Sequence, residues 1–142
     1  MIFERFRAAH VGDMDLRAEQ RAAMRWCDSD RLAALEAGGP GFTARTDGGR
    51  IVGCAGLMDT GNGSILWAFV ARDAEAHSLT IARGARRLLE VARKPVTAST
   101  AEWFPTGRRF LEWLGLAPVC SAAELGDEFQ DQIVYRTRPC NP

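Results

Sequence analysis

Residues 47–71, DGGRIVGCAGLMDTGNGSILWAFVA, decide the fold, because two glycine-bearing turns bracket two apolar runs and leave no room for a helix between them. Asp47-Gly48-Gly49 and Gly61-Asn62-Gly63 both tolerate the positive φ of a tight turn, so residues 42–46, 50–58 and 64–71 are expected as three consecutive antiparallel strands. The third, SILWAFVA, is apolar on both faces and belongs at the sheet centre. Hairpins rather than crossover helices join these strands, and no G-x-G-x-x-G follows a strand, which disfavours a doubly wound topology.

Upstream of this hairpin series, residues 2–8 alternate imperfectly and read as an edge strand that Gly12 and Asp13 stop. Residues 14–26 carry Leu16, Ala23 and Met24 against Arg17, Arg21 and Arg25, the pattern of a helix capped by Asp13 or Asp15. A second short helix starts at Asp28-Ser29-Asp30, buries Leu32 and Leu35, and ends at Gly38-Gly39-Pro40-Gly41. Downstream, residues 78–94 are the longest helix, with Leu79, Ala82, Ala85, Leu88, Leu89 and Ala92 on one face and Arg83, Arg86, Arg87 and Lys94 opposite. Pro95 halts it before a strand at 96–100. Pro105 opens a helix over 106–114 that buries Phe110, Leu111 and Leu114, with Gly115 in the position just past its end. Strands at 116–121 and 132–137 enclose an acidic loop over 124–131. The fold class is α+β: a mixed, mostly antiparallel sheet of about seven strands flanked by helices.

With 142 residues, the chain is expected to form one domain over 1–142, with 136–142 as a candidate extended tail. Eighteen basic residues balance eighteen acidic ones, so there is no long-range field to hold nucleic acid or an anionic membrane. Lys94 is the single lysine, a bias explained by a GC-rich genome. No apolar stretch reaches membrane-span length and the N-terminus lacks a signal-peptide core, which points to a cytoplasm. Cys27, Cys54, Cys120 and Cys140 are widely spaced and only His10 and His77 accompany them, so free thiols and no metal are expected.

The order of elements, together with DGGRIVGCAGL at 47–57, the strand, bend and helix of 64–92, and VTASTAEWFPTGRRFLEWLGL at 96–116, resembles the GNAT acetyltransferase superfamily. Leu16-Arg17-Ala18-Glu19-Gln20-Arg21, Trp67 and Trp113-Leu114-Gly115 further resemble the GNAT-like proteins of tailed bacteriophages. The superfamily resemblance implies that splayed central strands hold the pantetheine of acetyl-CoA through backbone groups at Phe69, Val70 and Ala71, with Arg72 and Arg83 on the cofactor side.

The chain departs from the family pattern at two places. Its bend, RDAEAHSLTI over 72–81, has none of the glycines of the family's R/Q-x-x-G-x-G/A, and Asp73 and Glu75 put negative charge where a pyrophosphate would sit. Leu111 stands where the family places a proton-donating Tyr, and Tyr135, the only tyrosine, is expected to be structural. Candidate bases are Glu102, His77 and Asp59; no Ser/His/Asp or Cys/His set assembles.

Two functions follow from these features. One is an eroded acetyltransferase site with no cofactor, on a fold reused to bind a protein partner among bacteriophage virion proteins, in the host cytoplasm during assembly or in the virion. The other is an active acetyl-CoA-dependent N-acetyltransferase with an atypical pyrophosphate loop. Trp26, Trp103, Phe104 and Trp113 are candidate interface anchors for the first.

Overall fold

The computed structural model describes residues 1–16, 18–23, 27–72, 74–101, 105–121 and 132–137. Its elements in chain order are β1 (Ile2–Arg5), α1 (Ala9–Gly12), α2 (Ala18–Ala23), α3 (Ser29–Ala37), β2 (Gly41–Arg45), β3 (Ile51–Asp59) and β4 (Ser64–Val70). A single 3₁₀ turn (Ala74–His77) then leads into α4 (Ser78–Val91), followed by β5 (Val96–Ala101), α5 (Pro105–Trp113), β6 (Leu116–Ser121) and β7 (Gln132–Thr137). The seven strands form one sheet in the order β1-β2-β3-β4-β5-β7-β6, antiparallel throughout except where β5 runs parallel to β4. The expected α+β architecture, the hairpin series and the central place of β4 are all present.

Turn chemistry fixes the hairpins. Gly49 (φ +91°) and Gly61 (φ +89°) occupy the left-handed region, which a side chain would strain. The β3–β4 ladder then runs without interruption from Gly53↔Val70 to Asp59↔Ser64. Residues 51–57 of β3 are all buried, so both faces of the sheet are covered. Alternation sends Gly53, Ala55 and Leu57 toward α4, where a Cβ on Gly53 would lie 3.0 Å from Ile81, and Cys54 toward Met14 on the other side. One core beneath α1 and α3 gathers Phe6, Val11, Met14, Val52, Cys54 and Trp67. The other, beneath α4 and α5, gathers Leu57, Leu66, Leu88, Val96, Leu111, Leu114 and Tyr135.

Three expectations change. The first strand stops at Arg5 rather than residue 8, because the chain turns there into α1, which starts at Ala9 and buries His10. The Nδ1 of His10 accepts the Arg7 N–H at 3.1 Å and lies 2.7 Å from the Thr43 hydroxyl. The helix expected over 14–26 is interrupted, since Leu16 makes a β-bridge to Ala71, and α2 begins only at Ala18. The long helix ends at Val91 rather than Lys94, because Ala92 is already extended ahead of Pro95. The remaining caps match the sequence: Asp28 accepts the Arg31 N–H at 2.9 Å, and Gly115 (φ +94°) follows α5. Tyr135 is fully buried and bonds Glu112 and Arg108, a structural role. Cys27 and Cys54 are free thiols. No described helix is long and apolar enough to cross a membrane. Of the expected tail over 136–142, Arg136 and Thr137 belong instead to β7, paired with β5 and β6, while residues 138–142, the acidic loop, Trp26, Trp103 and Phe104 lie outside the described residues.

Candidate functional site

β4 and β5 pair only at Ser64↔Val96 and Ile65↔Thr97, and beyond that point they diverge. Two strands that start parallel and then separate leave a wedge through the sheet. Here it is a cleft of about 350 Å³, lined by Leu66 to Val70 of β4, by Ala98, Ser99 and Thr100 of β5, by Ser78 and Ile81 of α4, and by Thr106, Gly107, Phe110 and Leu111 of α5. α4 and α5 are held together at the surface by Arg86, whose guanidinium carbon lies 3.7 Å from the Trp113 ring centroid and whose Nη2 donates to the Trp113 carbonyl at 2.8 Å.

Divergence exposes one edge of β4. The Ala71 N–H points to β3, bonding the Val52 carbonyl at 3.0 Å, and the Ser64 N–H points to β5, bonding the Pro95 carbonyl at 3.0 Å. By alternation, Ala68, Val70 and Arg72 therefore direct their backbone groups into the cleft. The segment before and within α2 covers them. Arg72 N–H donates to the Asp15 carbonyl at 2.7 Å. The Gln20 carboxamide accepts the Val70 N–H at 2.5 Å and donates to the Ala68 carbonyl at 3.2 Å.

No described residue lining the cleft titrates; besides the indole N–H of Trp67, which is buried without a hydrogen-bond partner, its polar side chains are Gln20, Ser78, Ser99, Thr100 and Thr106. Leu111 is buried in its wall. The N-terminus of α4 opens at Ser78, and a fourteen-residue helix carries partial positive charge there. Gly84 lies well inside that helix, where a Cβ would come 2.8 Å from the Phe42 ring; its role is close packing of helix on sheet.

Phe69 and Val70 line the cleft. Ala71 lies at its end, buried and bridged to Leu16. Arg72 is exposed, its Nε 3.9 Å from Asp15 Oδ2, and Arg83 is exposed on α4 away from the lining. His77 is the half-buried N-cap of α4, with no side-chain cap bond and no part in the cleft wall. Asp59 is held in the β3–β4 turn, bonded to the Gly61 N–H at 2.8 Å and to Lys94 at 3.1 Å, which takes it out of the candidate bases. Glu102 and Asp73 lie outside the described residues. Gln20 was missed by sequence reasoning, because a glutamine on a helix with an arginine-rich face reads as solvated.

Comparison with solved structures places the fold. The acetyltransferase of the GNAT family from Staphylococcus aureus is similar to this chain at TM-score 0.66 and 17% identity, covering 96% of this chain and 97% of its own. yncA from Salmonella typhimurium, solved with its cofactor acetyl-CoA, superposes at TM-score 0.71 and 16% identity, over 96% of this chain and 92% of its own. The fold is that of the GNAT acetyltransferases. A third GNAT-fold neighbour, the F149A mutant of spermidine N-acetyltransferase SpeG from Vibrio cholerae, reaches TM-score 0.61 at 12% identity, with 96% and 94% covered. No family model and no curated protein matches the sequence. The GNAT fold is thus carried by geometry, at 12–17% identity.

Proposed function

We propose that the chain is an acyl-CoA-dependent N-acyltransferase. The observation that supports this reading is the apolar cleft between diverging β4 and β5, with backbone groups of Ala68 and Val70 directed into it. A pantetheine arm fits such a cleft: it is slender, largely apolar, and carries amides that pair with a strand edge. The pyrophosphate end fits less well, since the bend lacks glycine and only the α4 N-terminus and Arg72 offer positive charge there.

Bound acetyl-CoA supplies an activated thioester. The chain's part is to hold the extended arm along β4 and to keep water out with Trp67, Phe69, Phe110 and Leu111. None of the described lining residues titrates, and Glu102, which lies outside them, is the residue proposed to take the proton of the acceptor amine.

A second reading is favoured by Leu111 and by the glycine-free bend: an eroded site on a fold reused as a protein-binding component of a bacteriophage particle. Trp113, 40% exposed, is its described anchor candidate. Of the phage-like tracts, Trp67 and Leu16 also serve the core, so the packing alone accounts for those two residues.

The two readings separate in one assay, in which thiol release from acetyl-CoA is followed with a panel of primary amines that includes spermidine. Amine-dependent release supports the transferase. Saturable binding without release keeps the cleft but removes the transfer, and no binding at millimolar acetyl-CoA leaves the eroded-site reading.

A further inference from the structure

We propose that Gln20 is a built-in gate of the cleft, a side-chain amide that occupies the β4 edge until an acyl-pantetheine ligand displaces it; this rests on the acyl-CoA reading given above. The geometry is that of a ligand mimic. A carboxamide presents one acceptor and one donor, and Gln20 uses them on Val70 N–H and Ala68 C=O, the same pair that a secondary amide in an extended ligand would engage. Gln20 also lines the cleft, half-buried, on a six-residue helix tethered at its start by the Asp15–Arg72 and Leu16–Ala71 contacts. Those tethers hold the segment in place when the side chain swings out.

The gate also selects. With Gln20 in place, neither backbone group is left unsatisfied, so a purely apolar ligand that displaces it strands a donor and an acceptor in the cleft. A ligand bearing its own amide exchanges bond for bond. An acyl-pantetheine meets this requirement, and a fatty acid of equal length does not.

The test compares the wild type with Gln20→Ala and Gln20→Glu by calorimetric titration with acetyl-CoA, and by amide exchange at Val70 without ligand. Gln20→Glu keeps the length and acceptor but sets a carboxylate oxygen against the Ala68 carbonyl, so it stands in if the alanine variant folds poorly. The expected result is about tenfold tighter binding in Gln20→Ala, where both competing bonds are lost, a smaller gain in Gln20→Glu, which keeps its bond to Val70 N–H, and faster Val70 exchange in Gln20→Ala only. Equal affinity, or weaker binding in Gln20→Ala, overturns the gate while leaving the acyl-CoA reading intact. No heat in any of the three proteins overturns both, and is recognised by its independence of residue 20.

Discussion

Gly56 and Trp67 face each other across the β3–β4 ladder so closely that a Cβ on Gly56 would lie 2.4 Å from the indole ring. The indole cannot yield easily, because Phe6 packs on it at 4.5 Å between centroids and Gly41 approaches it from β2. Trp67 is thus a floor plate of the cleft, set by two glycines on neighbouring strands. Gly56→Ala is expected to destabilise the protein by about 1–3 kcal/mol through overpacking. Urea denaturation measures the loss, and a shift in tryptophan emission of the folded state reports the displaced ring.

The turn between β3 and β4 carries a pH signature. The Gly61 N–H, and after it the Lys94 ammonium, hold the Asp59 carboxyl below the usual carboxylate range. Because the folded value is depressed, its stabilising effect is present above an ordinary pKa of about 3.9 and is lost as pH falls through the folded value. A carboxyl NMR titration is expected to place Asp59 below the ordinary aspartate value. Lys94→Met should move it only part of the way back, since the Gly61 bond remains.

Thiol reactivity should separate Cys27 from Cys54. Burial pushes the Cys54 thiol up to about 11, only partly offset by its contact with Thr43 at 3.4 Å, whereas Cys27 is half-buried at the start of the α3 cap. At pH 8 roughly one Cys54 in a thousand is thiolate, and it has no path to reagent. Alkylation of the native protein followed by peptide mapping is expected to label Cys27 first, with Cys54 labelled only after unfolding. Equal rates would contradict the core assignment.

What the sequence made legible follows from the range of the forces involved. Asp47-Gly48-Gly49 and Gly61-Asn62-Gly63 encode their turns locally, and Asp28, Pro105 and Gly115 mark helix ends by chemistry confined to one turn. α1 was invisible because AHVG has no apolar period and is fastened by His10 to Thr43, thirty-three residues away. Leu16 looked helical until its bridge to Ala71 drew it into extended backbone. The cleft itself is a property of strand separation. SILWAFVA reads as apolar on both faces whether its far edge meets another strand or open space, and Gln20 carries no local mark of the edge it covers.

Ser99 offers a way to close the cleft without disturbing the core, since its side chain is exposed on β5 and lines the opening. The account rests on that opening receiving an acyl-CoA, so its most direct test is titration calorimetry of the wild type and Ser99→Trp with acetyl-CoA. The expected result is saturable one-to-one binding that the tryptophan abolishes while the thermal unfolding midpoint stays unchanged. Binding of equal strength in both proteins, or no heat from the wild type at millimolar acetyl-CoA, would contradict it.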